Sequence, residues 1–291
     1  VIVIQKFIKD YNSHNPEKTP ITTIHYTNGI KRFETEEPKI LFPDDINKLI
    51  QYKSKNTGAR DFTNDAKNQF LFQFFTSGIR VSDLLLLNFK HFIKGRIEFI
   101  VKKSGRKASI SFNYNSAKVL GYFYPEEFNE ALINNKFIDL KLTTKEIEVL
   151  GQMDSSIISL HEFTVLELQN FRQFLIDDII NDNTKILRIL EGVIDRLESN
   201  VAYSFCEIMG KKNEGFVFDY LEYDDFKNIQ IRNKTIFTKD QVNKLHRART
   251  KYNGRLRRIG ERIGIEKLSS HVSRHSFSYS MILQEARTDQ I

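Results

Sequence analysis

The chain has 291 residues, 44 Lys and Arg against 37 Asp and Glu, and a formal net charge of +7, a balance that favours a polyanionic partner. At 40% hydrophobic and 12% aromatic residues it can build a substantial core and is not a disordered tail. There is no charge-free apolar run of about 18 residues, and the opening apolar stretch meets charge too soon for a spanning helix or a signal peptide. The single cysteine, Cys206, excludes an internal disulfide framework and a cysteine-based zinc cluster and fits a reducing, cytoplasmic compartment. With 13 Gly, 5 Pro and no Trp, a turn-rich barrel is disfavoured, and the expected class is mainly α with a small antiparallel β-sheet, α+β.

In chain order, Val1, Ile4, Ile8 and Tyr11 have helical spacing that ends before Asn15-Pro16, and the residues to about 36 read as a linker. Pro43-Asp44-Asp45 is a helix start with Ile46, Leu49 and Ile50 on one face. A second helix is expected from Asp61, burying Phe62, Ala66, Phe70, Phe74 and Phe75, and stopping at Ser77-Gly78. A short helix follows over Val81–Asn88. The period then changes to two β-like runs, 97–101 and 108–112, joined by a turn in which Gly105 supplies the reversal. Helical periods return from about Asn115. Segments 161–181 (Phe163, Leu166, Phe171, Phe174, Leu175, Ile179) and 184–209 (Ile186, Leu190, Val193, Leu197, Tyr203) have the spacing of an antiparallel pair. Phe216-Val217-Phe218 is a short apolar run, a basic helix spans about Lys239–Gly264, and a last helix runs over His271–Ala286.

Charge is segregated along this plan. Lys244–Arg274 carries ten basic and two acidic residues, a net of +8, and Lys90–Lys107 carries seven against one, a net of +6. Residues 121–200 hold fifteen acidic and seven basic residues, a net of −8. Two basic stretches that converge in space concentrate phosphate, and the acidic block is repelled from it. Lys102, Arg106 and Lys107 in the first stretch, and Arg249, Arg255, Arg257 and Arg258 in the second, are the candidate contacts to a phosphate backbone.

Two strings carry chemistry: Thr76-Ser77-Gly78-Ile79-Arg80-Val81-Ser82-Asp83-Leu84 and His271-Val272-Ser273-Arg274-His275. A phosphodiester under attack gathers negative charge on its non-bridging oxygens, and arginine, with a planar fork and a permanent proton, suits that charge. Arg80 and Arg274 each sit near a helix start, where anions are favoured. His271 titrates near neutrality and suits proton transfer at the nucleophile. Asp83, one turn beyond Arg80, orients that neighbourhood. His271 and His275 are four apart, but no nearby residue completes a set of three zinc ligands, so no metal is expected, and His275 reads as a buried helix residue.

With Lys103 in the hairpin, the two strings resemble the tyrosine recombinase, or phage integrase, family, in which a T-G-x-R-x-x-[ED]-L string, a hairpin lysine and an H-x-x-R string surround one scissile DNA phosphate. The order is kept, and Lys103 follows Arg80 by 23 residues. The resemblance implies a catalytic domain that cuts and rejoins double-stranded DNA through a 3′-phosphotyrosyl link without cofactor, with Arg80, Lys103, His271 and Arg274 catalytic and homo-oligomers, tetrameric in the synapse, formed on DNA. Lys103 is the expected general acid from its register against the turn, with Lys102 as the alternative. The resemblance covers about 37–120 and 214–291, makes 1–36 the tail of a DNA-clamping domain plus linker, and leaves 121–213 as an acidic helical insertion packed on the outer face. It also requires a tyrosine roughly thirty residues past the second arginine. The chain ends 17 residues after Arg274, so the nucleophile is expected beyond Ile291 and this chain is expected to bind DNA without cleaving it. Tyr279 reads as a packing residue. A non-catalytic DNA-binding regulator on the same scaffold, or a helical RNA binder, are the rival readings.

Overall fold

The computed structural model describes residues 39–54, 62–135, 143, 146, 165–177, 184–229 and 237–288. The helix expected over 1–15, the linker after it, and parts of the acidic segment around Gly151 and Phe163 lie outside the described residues. Helices dominate, joined by one three-stranded antiparallel sheet.

Helix α1 (Pro43–Gln51) starts as its Pro-Asp-Asp string predicts, and Asp45 accepts the Phe42 N–H at its N-terminus. Ile46 and Leu49 are buried, whereas Ile50, expected on the same face, is 47% exposed. Helix α2 (Phe62–Phe75) is the central element. It buries Ala66, Phe70 and Phe72 together with Asp65, Asn68, Gln69 and Gln73, so it is covered on nearly all sides, and its polar side chains must find partners inside the protein. Phe62, read as core, is instead exposed at the first turn. Helix α3 is shorter than predicted, Val81–Leu84, because the chain turns at Leu85–Asn88 to enter a 3₁₀ turn at Phe89–His91.

The sheet has order β1 (Phe92–Ile93), β2 (Arg96–Ile100), β3 (Lys107–Ser111). Strand β1 has no signature in a two-residue run and was not foreseen; the predicted hairpin forms one residue earlier than its hydrophobic pattern suggested, with Ile97 opposite Ile110 and Gly105 at φ +67°.

After α4 (Tyr114–Leu120) and α5 (Pro125–Ile133) come α6 (Val165–Asp177) and α7 (Thr184–Gly210). The expected face of α6 is off in register: Val165 and Leu168 are buried, while Leu166 is 53% exposed. Helix α7 follows its predicted face at Leu190, Val193 and Leu197, whereas Tyr203 is 50% exposed, and it adds Val201, Phe205, Cys206 and Met209, all in the same core cluster as α2. The acidic segment is therefore no appendage on the outer face. Its polar residues take one side of a 27-residue helix while the other side completes the core under β1, α4 and α5. A side chain at Gly210 would run into the Phe92 carbonyl, so α7 meets β1 backbone to backbone.

Helix α8 (Lys239–Ile263) and helix α9 (Ser270–Thr288) run close to the predicted limits. The Thr238 hydroxyl accepts the Gln241 N–H, and the Gln241 side chain accepts the Thr238 N–H, a reciprocal cap that starts α8. Both helices pack on α2. Among the described residues, no helix is long and apolar enough to cross a membrane.

Candidate phosphate-binding site

The two predicted strings meet at the C-terminus of α2. Thr76, fully buried, donates its hydroxyl to the Phe72 carbonyl, and the chain then reverses through two left-handed residues, Ser77 (φ 60°) and Gly78 (φ 65°). Gly78 is required twice over. Beyond its positive φ, a Cβ there would lie 2.8 Å from the Arg274 Cα, so α9 is seated directly on the turn. Arg274 returns a hydrogen bond from Nη1 to the Gly78 carbonyl at 3.3 Å.

Gln73 ties this junction together and went unrecognised in the sequence. Its Nε2 donates to the Ile79 carbonyl at 2.5 Å and to the Ser270 carbonyl at 3.1 Å, and its Oε1 accepts from the Tyr252 hydroxyl at 3.3 Å. One buried amide thus joins the turn before Arg80, the start of α9 and the middle of α8. A glutamine inside the Phe-rich run Phe70–Phe75 was the available signal, since a polar group there needs buried partners. Asn253 adds a second tie from α8 by accepting the Ser270 N–H at 2.9 Å.

The charged groups gather around Asp83. Its carboxylate is 5% exposed and accepts the Lys102 backbone N–H at 2.9 Å, which clamps the base of the hairpin turn to α3. Burial raises the Asp83 pKa, opposed by that hydrogen bond and by the positive charges of Arg80, Lys102 and Arg274. Arg80 and Arg274 are both half-buried. His271 is exposed, and partial burial, His275, Arg274 and Arg80 all lower its pKa, so it is biased toward the neutral form that accepts a proton. The His271 and His275 rings meet edge to face at 5.2 Å, and His275 is half-buried rather than enclosed. Arg80, Asp83, His271 and Arg274 thus come together from two distant strings.

No family model, curated protein or solved structure matches this chain.

The two lysines of the hairpin differ. Lys102 is half-buried, with its ammonium 4.2 Å from the centre of the Phe237 ring, and burial and Arg249 lower its pKa against the pull of Asp83. Lys103 stands exposed on the turn. Of the two, Lys102 lies in the electrostatic neighbourhood of Asp83 and Arg249, whereas Lys103 is exposed.

The remaining basic candidates divide. Arg249 lies on the flank of α8 that faces Lys102 and is 3.3 Å from His246 Nδ1. Arg255 lies on the opposite flank, its guanidinium 4.4 Å from the Phe62 ring centre and 5.3 Å from that of Tyr220, so it does not join the cluster. Arg257 and Arg258 are exposed on α8, Arg106 is exposed on the hairpin turn, and Lys107 is held by Glu98 across the strands at 2.7 Å. Among the described residues, no group of three or more His, Cys, Asp or Glu side chains is placed to hold a metal ion. Tyr279 packs edge to face on Phe42, at 5.9 Å between ring centres.

Proposed function

We propose that this chain binds double-stranded DNA as the catalytic domain of a site-specific tyrosine recombinase. The observation that supports this reading best is the seating of α9 on the turn before Arg80, where Arg274 donates to the Gly78 carbonyl, beside a buried Asp83 that accepts the Lys102 N–H, so that three cations from three separate parts of the chain share one neighbourhood. An isolated basic helix does not need such an arrangement. A scissile phosphate does, because two guanidinium groups can hold its non-bridging oxygens while charge builds on them.

In this reading Arg80 and Arg274 bind the phosphate, held at a fixed spacing by the Gly78 contact and the Gln73 bridge. His271, biased toward its neutral form, takes the proton from the attacking tyrosine hydroxyl. The tyrosine oxygen forms a bond to phosphorus, the bond from phosphorus to the 5′-oxygen breaks, and an ammonium of the hairpin gives its proton to the departing 5′-oxygen. Lys102 is favoured for that step over the expected Lys103, because it is half-buried, its backbone N–H is held by Asp83, and burial lowers its pKa. Asp83 positions the hairpin that carries it. Tyr279, packed on Phe42, is not assigned the role of the attacking tyrosine.

The test uses a nicked DNA substrate and the chain extended at its C-terminus through a tyrosine. A covalent protein–DNA adduct is expected, absent in Arg80→Ala and Arg274→Ala. A sulfur-for-oxygen substitution at the 5′ leaving position, which removes the need for an acid, should restore cleavage to Lys102→Ala but not to Arg274→Ala. Rescue of Lys103→Ala instead would reassign the acid, and adduct formation that survives both arginine changes would overturn the reading. The unextended chain should bind duplex DNA with a salt dependence that Arg249→Ala reduces by about one phosphate contact.

A further inference from the structure

Between α7, the β1–β2 turn and the start of α4 lies an open groove of about 480 Å³. This size falls within the usual range for small-ligand sites, roughly 300–1,000 Å³. Its charges are sorted by end. At one end Asp195 and Glu198 stand one turn apart on α7, beside Tyr114 of α4. At the other, the Tyr203 ring lies against Gly95, where an added Cβ would come within 2.7 Å of it, and Lys94 and Arg96 flank that glycine. From Asp195 to Tyr203 the helix rises ~12 Å. Among the described residues, no ion pair joins the two ends.

The acidic end is unfilled. Tyr114 is only 8% exposed, yet its hydroxyl makes no hydrogen bond and keeps surface open to the groove it lines. Buried hydroxyls are almost always paired. Burial, with Glu198 adding to it, pushes the pKa of that hydroxyl up to about 12, so it stays protonated. The Asp195 carboxylate has no hydrogen bond or ion pair, and Glu198 has a single bond, accepted from the Gln169 amide at 2.6 Å. Lys118 and Arg172 are the cations nearest Glu198, but Arg172 is held by Glu191 at 2.8 Å and Lys118 forms no ion pair. At the basic end the Lys94 ammonium has no partner, and Arg96 commits Nε and Nη2 to Ser109, which leaves Nη1. Glu207, which accepts the Lys94 N–H at 2.8 Å, does not line the groove.

A ligand that matches both ends has a cationic head rich in N–H donors and an anion a few bonds away. A guanidinium, with five donors in a plane, can reach two carboxylates and a hydroxyl together, whereas an ammonium offers three from one point. A carboxylate suits Lys94 and Arg96. Free arginine would bring its α-ammonium to the basic end, and in a peptide that nitrogen is a neutral amide. We infer that this groove captures the carboxy-terminal arginine of a peptide, its guanidinium on Asp195, Glu198 and Tyr114 and its carboxylate at Lys94 and Arg96. These residues lie outside the proposed recombinase site, and the inference does not rest on that reading.

The experiment is a calorimetric titration of the whole chain with the tripeptide Ala-Ala-Arg, with N-acetyl-L-arginine, with its carboxamide, which lacks the anion, and with free L-arginine. The tripeptide and N-acetyl-arginine should bind saturably, and the carboxamide and free arginine about tenfold more weakly. Glu198→Gln should weaken N-acetyl-arginine by about tenfold as well, while Arg80→Ala leaves its binding intact. Tyr114→Phe is the decisive variant. It removes a hydroxyl that has no partner to lose, so it should weaken binding about fivefold while the free protein melts no earlier than before. Absence of saturable binding by the tripeptide and N-acetyl-arginine would overturn the inference. So would equal affinity for the carboxamide or for free arginine, or loss of binding in Arg80→Ala. A Tyr114→Phe chain that melts earlier would do the same, by showing that the hydroxyl is satisfied without ligand.

Discussion

At the scale of single residues, the decisive contact is between Gly78 and Arg274. An arginine is useful to a phosphate only if its backbone is held, and here the holding is done by backbone against backbone, with no side chain between. Gly78→Ala should therefore cost ~2 kcal/mol or more, from the positive φ and from the clash with the Arg274 Cα together. It should also weaken DNA binding beyond what the stability loss accounts for, since α9 must slide away from the turn. The paired control is Ser77→Gly, which removes strain of the same hand and should leave stability unchanged or raised. Chemical denaturation of both variants measures this, and equal tolerance of the two would show that Gly78 does not seat the helix.

At the scale of elements, the 3₁₀ turn before β1 carries a pH dependence. The Asn88 N–H donates to His91 Nδ1 at 3.1 Å, which requires that nitrogen to be unprotonated. Burial, with Lys90 adding to it, lowers the His91 pKa from 6.5 to about 4. The unfolded chain therefore binds more protons than the folded one between those values, so stability should fall as pH drops from 6.5 toward 4. Urea unfolding at pH 7 and pH 4.5 should show this loss, and His91→Gln, whose side chain does not titrate, should reduce it. An unchanged pH slope in the variant would place the acid sensitivity elsewhere. Helix α8 shows a separate point about elements: one basic run has two chemically different flanks. Spacing made Arg249 and Arg255 look equivalent, yet only the first faces Lys102, because Leu245, Tyr252 and Leu256 turn the buried stripe between them.

At the scale of the whole molecule, the segment expected to be an insertion on the surface supplies part of the core. Phe205 of α7 packs edge-on against Phe128 and at a tilt against Phe112, and Lys212 just beyond α7 pairs with Glu127 of α5. Removing residues 184–210 should therefore abolish cooperative unfolding and leave a collapsed chain, whereas an appended helix could be deleted with the remainder still folded. Near-ultraviolet circular dichroism and a thermal melt distinguish the two outcomes.

The sequence by itself determined the helical class, the start of α1, the limits of α2, α8 and α9, and the hairpin, since each rests on a local signal: a cap, a period, or a glycine. Only the tertiary structure decided the rest. The two-residue strand β1 exists solely through its partner, the burial of α2 on nearly all sides comes from α8, α9 and α4 packing around it, and the half-burial of Lys102 against the exposure of Lys103 depends on the direction in which a turn points. The buried, unpaired oxygen of Gln69 belongs to the same class, because whether a buried amide is satisfied depends on atoms that the chain brings from distant positions. Periodicity reports which side of an element is apolar, and only packing settles what that side meets.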